Sequence, residues 1–262
     1  MRQARFLFLG TGASTGVPVL GCKCSVCTSS SSYNQRYRVS GLIKVEDRSF
    51  LIDVSPDFRL QAFRAALFQL DGVLITHTHY DHIAGLDDLR PLCFGRKEAI
   101  DCLVSRETLK ELQLRYHYLM HEDSSREVPY TKLKFQVVEN DFGESTFAGL
   151  PWRYVSYSQM DMKVTGYVIG SLAYISDIKE YTEELLTALQ GVKVLILGAL
   201  RYEFSKNHFS IDEAIAFARK VGAKQTYLTH IGHELDHEIT NQQLPLDVSL
   251  AYDGLEIAFE VS

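Results

Sequence analysis

The chain has 262 residues, a formal net charge of −6, and hydrophobic and charged fractions of 46% and 23%. This length allows one large domain or two small ones, and the composition is that of a globular protein with a sizeable core. The chain carries no basic run, which argues against an extended nucleic-acid groove, and no apolar run long enough to span a bilayer. The first residues lack the apolar core and cleavage site of a signal peptide, so we expect a cytoplasmic protein.

Short apolar runs and helical periodicities alternate along the chain. In chain order, strands are predicted over residues 6–9, 42–45, 50–53, 73–76, 103–105, 133–138, 154–157, 164–169, 172–176, 194–197, 226–228 and 255–259. Helices are predicted over residues 56–68, 106–119, 180–189 and 211–221. Ser55 and Pro56 favour the start of the first helix, and Ser210 with Glu213 forms a capping-box pattern before the last. Strands interleaved with helices indicate an α/β protein whose helices cover its sheets.

No long linker divides the chain, so we predict a single domain over residues 1–262. Small residues over 28–32 predict a loop, and the polar stretch over 116–130 predicts an insertion near the functional site.

The residues that best indicate function follow the predicted strand at 73–76. His77, His79, Asp81 and His82 lie within six positions. Imidazole and carboxylate are the usual ligands of catalytic Zn²⁺ or Mn²⁺. Alternate residues at a strand end point the same way, so His77 and His79 can reach one ion, and Asp81 and His82 can reach a second. The alternatives are a helix cap at Asp81 and a chance cluster of surface histidines.

A two-ion site needs further donors at strand ends. Asp177 follows the predicted strand at 172–176, where its carboxylate could bridge two ions, although helix capping is the commoner role of such a residue. His230 ends the run 225–229 much as His77 ends its own strand. A structural histidine is the alternative there, and the parallel with His77 favours a ligand.

A second cluster consists of Cys22, Cys24 and Cys27, three of the five cysteines in the chain. Their spacing supplies three corners of a tetrahedral zinc site, and His233, three residues after His230, is a candidate for the fourth. Such a zinc would fix the loop that carries a catalytic ligand. Three reduced thiols in a loop are the alternative reading.

The combined pattern resembles the metallo-β-lactamase superfamily over essentially the whole chain. The resemblance rests on the motif from His77 to His82, the early Gly-Thr-Gly at 10–12, and Asp177 and His230 in the expected order. It implies an αββα sandwich in which two mixed β-sheets are flanked by helices, with the site at one edge between them.

A closer resemblance is to the phosphoribosyl 1,2-cyclic phosphate phosphodiesterase family of the carbon–phosphorus lyase pathway. It rests on residues 10–18, the cysteine segment at 21–27 and the segment at 228–233. The resemblance assigns Cys22, Cys24, Cys27 and His233 to one structural Zn²⁺ per chain. It also makes His208 an acid/base or phosphate-contacting group, so that Asp81 and His208 are the expected catalytic residues.

The chain departs from the superfamily at one position. The superfamily usually supplies a third histidine to the first ion from the loop before a Gly-Tyr strand, here at 166–167. That loop has no histidine, and Gln159 falls at the expected place, with Asp161 as a nearby oxygen donor. An amide oxygen is a weaker Zn²⁺ ligand than imidazole but suits harder ions such as Mn²⁺.

We therefore expect a metal-dependent hydrolase of a small anionic cyclic phosphodiester, such as 5-phosphoribosyl 1,2-cyclic phosphate. Its cofactors would be the structural Zn²⁺ and one or two catalytic Mn²⁺ or Zn²⁺ ions. The alternatives are a hydrolase of a thioester, a lactone or an RNA end, and a catalytically impaired, metal-stabilised binding protein. No membrane or nucleic-acid partner is expected, and a homodimer is left open.

Overall fold

A computed structural model describes residues 2–119 and 131–261. Its strands form two seven-stranded sheets, with the orders β14-β1-β2-β3-β4-β5-β6 and β13-β12-β11-β10-β9-β8-β7. The strands are β1 (Arg2–Gly10), β2 (Ser40–Val45), β3 (Arg48–Ile52), β4 (Gly72–Leu74), β5 (Ile100–Ser105), β6 (Leu133–Val138), β7 (Phe142–Phe147), β8 (Leu150–Gln159), β9 (Met162–Ile169), β10 (Leu172–Ile175), β11 (Val194–Gly198), β12 (Gln225–Thr229), β13 (Val248–Leu250) and β14 (Glu256–Val261).

Each sheet joins an antiparallel half to a parallel half. In the first sheet, β14, β1, β2 and β3 pair antiparallel, whereas β3, β4, β5 and β6 pair parallel. In the second sheet, β7 to β10 pair antiparallel, and β10 to β13 pair parallel. The carboxyl ends of parallel strands in one sheet meet at one edge, which is where ligand-binding loops gather in such sheets.

The helices cover the outer faces of the two sheets. They are α1 (Phe58–Arg64), α2 (Tyr80–Ile83), α3 (Arg106–Arg115), α4 (Glu183–Ala188), α5 (Ile211–Val221) and α6 (His237–Gln243), with short 3-10 helices at Ser32–Asn34, Leu86–Cys93 and His117–Leu119. Buried side chains of α1 and α3, such as Phe58 and Leu112, pack on the first sheet. Leu185 of α4 and Phe217 of α5 pack on the second.

The central core lies between the two sheets. Phe6 and Phe50 from the first sheet meet Trp152, Tyr167 and Tyr174 from the second, and all five side chains are almost fully buried. Aromatic side chains of this size dominate the energetics of a core. The result is an αββα sandwich, so the predicted metallo-β-lactamase type of fold is confirmed.

Several elements differ from the sequence prediction. The first helix begins at Phe58 with Asp57 as its N-cap, not at Ser55, because residues 55–58 form a separate turn in which the Phe58 N–H donates to the Ser55 carbonyl. The alternative of a helix cap at Asp81 is wrong, because Asp81 lies inside the short helix α2, whose N-cap is His79. By contrast, the Ser210 capping box and the bounds of α5 are as predicted.

The sequence analysis predicted neither the strands β7 and β13 nor the helices α2 and α6. The β7 sequence is mostly polar because this strand lies at the edge of its sheet. The predicted insertion over 116–130 reaches the described residues only at 116–119, which hold the 3-10 helix; its remainder lies outside them. None of the helices among the described residues is both long and apolar enough to cross a bilayer.

Candidate metal centre

The chemically reactive side chains lie where the parallel strands end. Asp53 follows β3, the segment 76–82 follows β4, Asp177 follows β10 and His230 follows β12. Asp53, Asp177 and His230 adopt left-handed backbone conformations, with φ of 59°, 51° and 58°. Non-glycine residues rarely adopt this conformation, and it concentrates at functional sites because the surrounding fold must hold it.

The first donor group comprises His77, His79 and Asp177, whose ligand atoms all lie within 4.8 Å of one another. The His77 Nε2 and His79 Nδ1 atoms are 2.9 Å apart. Burial lowers the pKa of both rings, most strongly that of His77, so both are neutral at pH 7. Neutral imidazole is the form that binds a metal ion.

The second donor group comprises Asp81, His82 and His230. The His230 Nε2 atom lies 3.2 Å from Asp81 Oδ2, and His82 Nε2 lies 3.5 Å from the same oxygen. Asp177 faces this group as well, with Oδ2 3.1 Å from His82 Nε2 and Oδ1 3.1 Å from His230 Nε2. Asp177 therefore stands between two donor groups, as a bridging carboxylate does in a two-metal site.

Asp53 is part of the centre, although the sequence analysis did not single it out. It is fully buried, and its Oδ2 atom accepts a hydrogen bond of 2.7 Å from His82 Nδ1. The Thr76 backbone N–H and hydroxyl also donate to this carboxylate, at 2.8 Å each. A carboxylate behind a ligating histidine fixes its tautomer and the direction of its free nitrogen. Asp53 follows its strand as Asp177 does, so the same strand-end rule would have found it.

The charges of the centre favour a positive charge among its buried groups. His82 Nδ1 donates to Asp53 and its Nε2 atom faces Asp177 Oδ2, and neither Nε2 nor Oδ2 has a hydrogen-bond partner in the described part of the chain. Although burial opposes a charged ring, Asp177 and Asp53 raise the pKa of His82 well above its ordinary value. Burial also opposes charge on Asp177, yet His230 and His82 lower its pKa well below the usual range. A proton or a metal ion must stand between these groups, and the donor set fits a divalent ion.

His208 and Gln159 lie beside the shared carboxylate. His208 Nδ1 is 3.3 Å from Asp177 Oδ1, and its ring stacks on that of His230 with centroids 4.6 Å apart. Burial and the neighbouring His230 lower the pKa of His208 to about 4. The neutral ring keeps one N–H with which it can donate a hydrogen bond. Gln159 ends β8 and lies next to both residues, whereas Asp161 is exposed in the turn that follows β8.

The structure brings together the four residues of the cysteine cluster (Cys22, Cys24, Cys27 and His233). The three Sγ atoms lie 3.3, 3.5 and 3.5 Å from His233 Nδ1. Tetrahedral Zn²⁺ with ordinary Zn–S and Zn–N bonds would place sulfur and nitrogen about 3.5 Å apart. The Cys27 backbone N–H lowers the pKa of Cys24 to about 6, while burial raises that of Cys27 to about 11. One thiolate, that of Cys24, thus forms readily at neutral pH, whereas Cys27 needs a nearby cation to be held deprotonated.

The two clusters are joined by one short segment. The Ile231 backbone N–H donates to the Thr11 carbonyl over 2.9 Å, and the Ala13 N–H donates to the Ile231 carbonyl over 3.0 Å. These bonds hold the segment between His230 and His233 against the N-terminal loop. Two further residues reinforce this contact, because the buried Arg36 guanidinium donates to the Thr11 hydroxyl, which in turn donates to Asp253. Any ion in the cysteine cluster would stiffen the loop that presents His230.

A cavity of about 580 Å³ opens beside the first donor group. Its volume suits a small-molecule ligand. Arg115 and Lys163 line it, together with three acidic residues, Glu107, Glu111 and Asp161. Arg115, which the sequence analysis did not single out, donates from Nη1 to the Thr78 carbonyl over 2.6 Å. That contact places a guanidinium directly beside the strand end that carries His77 and His79.

The predicted site residues thus fall into two places. The structure brings together eight of them at one edge of the sandwich: His77, His79, Asp81, His82, Gln159, Asp177, His208 and His230. The other four form the cysteine cluster. Asp161 alone stands apart from the donor groups. The remaining cysteines, Cys93 and Cys102, are buried within the apolar core of the first sheet.

Three comparisons with known proteins agree with this geometry. The family model of the beta-lactamase superfamily domain matches residues 48–231. The crystal structure of a new diphosphatase from the PhnP family is similar to this chain, with a TM-score of 0.91 and 35% identity over 99% of this chain and 98% of that one.

Two curated relatives add detail. The octanoyltransferase of Porphyromonas gingivalis is 34% identical over 255 residues, which cover 96% of this chain but 51% of the relative. This chain therefore spans about half the length of that protein. The exodeoxyribonuclease WalJ of Streptococcus pneumoniae is 26% identical over 92% of this chain and 94% of its own length.

The region matched by the family model includes the strands that carry His77 to His82, Asp177 and His230. The two seven-stranded sheets form the complete sandwich around them. The chain therefore belongs to the beta-lactamase superfamily, close to the PhnP family, and has the metallo-β-lactamase fold.

Proposed function

We propose that this protein is a metal-dependent phosphodiesterase that hydrolyses a small anionic phosphodiester, with a cyclic diester such as 5-phosphoribosyl 1,2-cyclic phosphate as the leading candidate. One observation carries the proposal. Two donor groups share Asp177 and open onto a cavity of small-molecule size. Paired ions bridged by a carboxylate suit in-line displacement at phosphorus, because they stabilise both the attacking and the leaving oxygen.

The ligand assignments are part of the proposal. His77, His79 and Asp177 hold one divalent ion, Mn²⁺ or Zn²⁺, and Asp81, His82, His230 and Asp177 hold the other. Bound there, the ions would supply a nucleophilic water at neutral pH and neutralise charge on the phosphate. Cys22, Cys24, Cys27 and His233 hold a structural Zn²⁺.

The protein's own groups orient the substrate and move protons. Asp81 lies at the edge of the second donor group, where its carboxylate can accept a proton from the attacking water. His208 stands on the other side of Asp177 and donates a hydrogen bond to a phosphate oxygen or to the leaving oxygen. Arg115 and Lys163 line the cavity in ion pairs with Glu111 and Asp141, and a second anionic group of the substrate would bind them by displacing those carboxylates.

The similarity to a diphosphatase of the PhnP family supports phosphorus chemistry over acyl chemistry. An octanoyltransferase and an exodeoxyribonuclease among the relatives keep two other substrate classes worth testing. The exodeoxyribonuclease is matched over nearly its full length, so DNA is the more specific of these alternatives. The net charge of −6 disfavours an extended nucleic-acid contact.

The test is a substrate panel on metal-loaded protein. It contains 5-phosphoribosyl 1,2-cyclic phosphate, bis(4-nitrophenyl) phosphate, a diphosphate ester, an acyl thioester, a lactone, an RNA 3′ end and single-stranded DNA. We expect kcat/KM for the cyclic diester to exceed those for thioester and lactone by about 100-fold or more. A preference for an acyl substrate, or for a nucleic acid, would overturn the proposal.

Two variants test the proposed roles of His82 and His208 in this panel. His82→Ala should abolish turnover, and His208→Ala should lower kcat by about 10²-fold, because only one hydrogen bond or proton transfer is lost. If His208→Ala matches the parent protein, the role of His208 is wrong. Two or three ions per chain with no turnover on any substrate would instead favour the metal-stabilised binding protein.

A further inference from the structure

We propose that the Gln159 side-chain amide is the fourth protein donor of the first ion, that the amide rotates by 180° when the ion binds, and that it shifts the selectivity of this position from Zn²⁺ towards Mn²⁺. The inference deepens the proposed function, because it rests on the same metal centre, but it does not depend on which substrate that centre hydrolyses. It concerns the one position at which the chain departs from the expected histidine.

The placement of Gln159 is that of a ligand. Its side chain is 3% exposed, and its Nε2 atom lies 3.3 Å from Asp177 Oδ1. The same atom lies 3.1 and 3.2 Å from the two ring nitrogens of His208. The amide thus reaches the carboxylate that both donor groups share, and it lines the same cavity as His77 and His79, which places it on the side of the first ion.

The other end of the amide is unsatisfied. Gln159 Oε1 is buried and has no hydrogen-bond partner in the part of the chain that the structure describes. A buried polar atom without a partner costs about 1–3 kcal/mol, which a well-packed site normally avoids. Here the amide gives up its acceptor so that its N–H group can face Asp177, where negative charge is concentrated.

A bound cation would reverse the preferred orientation of the Gln159 amide. With positive charge between Asp177, His77 and His79, an N–H group in that position would be repelled and an amide oxygen attracted. Rotation of the amide by 180° exchanges Oε1 with Nε2 and brings the oxygen to the position 3.3 Å from Asp177 Oδ1. Two ligands of one ion with bonds of about 2.1 Å lie about 3.0–3.4 Å apart. In that position the oxygen can also accept the N–H of His208.

With Gln159 in place of the expected histidine, the two donor groups contain the same kinds of ligand atom. The first becomes His77, His79, Asp177 and Gln159, and the second is His82, His230, Asp81 and Asp177. Each then has two imidazoles and two oxygens. An imidazole replaced by an amide oxygen makes the first set harder, which weakens Zn²⁺ binding more than Mn²⁺ binding.

The experiment measures binding, not turnover. Protein with its cysteine-bound Zn²⁺ retained is titrated separately with Mn²⁺ and Zn²⁺, and metal content is checked by elemental analysis. We expect two Mn²⁺ ions per chain, with an exchange-coupled electron paramagnetic resonance signal. Gln159→Leu should weaken one of the two Mn²⁺ sites about tenfold or more and remove the coupled signal.

Two further variants test selectivity and fold. Gln159→His should raise the ratio of Zn²⁺ to Mn²⁺ affinity about tenfold or more, because it restores an imidazole. Gln159→Glu should keep the coupled pair, since it retains an oxygen donor, and it shows that loss in Gln159→Leu is not a folding defect. Asn207→Leu is the matched control, because it removes an amide that lines the same cavity.

Unchanged Mn²⁺ affinities in Gln159→Leu, or an equal loss in Asn207→Leu, would overturn the inference, as would a Zn²⁺ to Mn²⁺ ratio that does not move in Gln159→His. These outcomes are separate from those of the substrate panel. The panel can fail while the titration succeeds, and the reverse also holds.

Discussion

The cysteine cluster and the histidine–aspartate centre are held by one segment, with His230 in the centre and His233 in the cluster, yet they differ in donors and surroundings. The cluster offers three sulfurs and one nitrogen around a half-buried point, which is a complete tetrahedral set. The centre offers nitrogens and oxygens, is buried on the protein side and adjoins a cavity. A closed donor set is typical of a structural ion, and an open one of a catalytic ion. His233 thus belongs to a donor set typical of a structural ion, and His230, three residues earlier, to one typical of a catalytic ion.

The largest effect expected to break this comparison is the loss of the shared carboxylate. Asp177→Ala should lower kcat/KM on a phosphodiester by about 10³-fold, because it removes a donor from both groups at once. The metal content should fall to the single zinc of the cysteine cluster. Asp247→Ala, at an exposed partner of Arg219, is the control. Retention of more than a tenth of the activity in Asp177→Ala would show that the carboxylate does not serve both groups.

The next largest effect is expected in the cysteine cluster. Cys22→Ser should lose one zinc per chain and lower the melting temperature by about 5 °C or more, because structural zinc contributes free energy of folding directly. Calorimetry with elemental analysis measures both quantities. Cys93→Ala removes a buried thiol outside the cluster and should keep the zinc. A Cys22→Ser protein with its full zinc content and an unchanged melting temperature would contradict the structural assignment.

A smaller effect is expected at Asp53, which lies behind the donor His82. Asp53→Asn should weaken binding of the second ion by about 10- to 100-fold, because the carboxylate no longer accepts from His82 Nδ1 and fixes its ring. Titration with Mn²⁺ measures the change. Asp71→Asn is matched to it, since that carboxylate accepts the Ser49 backbone N–H away from the centre. Equal affinities for the parent and Asp53→Asn would mean that the other contacts of His82 suffice to orient it.

The smallest effect concerns His237, which lies outside both clusters. Burial, aided by the charge of Arg36, lowers the pKa of His237 to about 4. Between about pH 4 and the ordinary value of 6.5, the unfolded chain therefore binds more protons at this residue, so its contribution to stability is present above pH 6.5 and is lost as the pH falls.

We expect His237→Asn to flatten the dependence of unfolding free energy on pH over that window, as measured by urea denaturation at several pH values. The exposed His117→Asn serves as the control. If both variants keep the slope of the parent, His237 is not the group responsible. Once this slope is known, any remaining acid sensitivity can be divided between the cysteine cluster and the centre.

Much of the fold and the site could be predicted from the sequence, for reasons visible in particular residues. The strands that carry the donors are apolar on both faces because helices cover them, and each ends in a polar residue at the edge of the sheet. His77, Asp177 and His230 are therefore easy to find. The edge strand β7 is mostly polar, and β13 has only three residues, so neither gives a periodic signal.

The contacts of the site were harder to predict than its members. Asp53 is a single acidic residue after a strand, and nothing local indicates that it lies behind His82, 29 residues later. Arg115 ends a polar helix, and only the folded chain brings it to Thr78. Such pairings depend on how the loops of separate strands meet, which no periodicity records.

The left-handed backbone at Asp53, Asp177 and His230 has a consequence for protein engineering. Each such position costs about 1–3 kcal/mol, and glycine or asparagine would relieve part of it. A library selected only for thermal stability should therefore accumulate glycine or asparagine at these three positions and drift towards better-folded, inactive variants. Selection for heat resistance would need a simultaneous metal-binding screen to keep the centre intact.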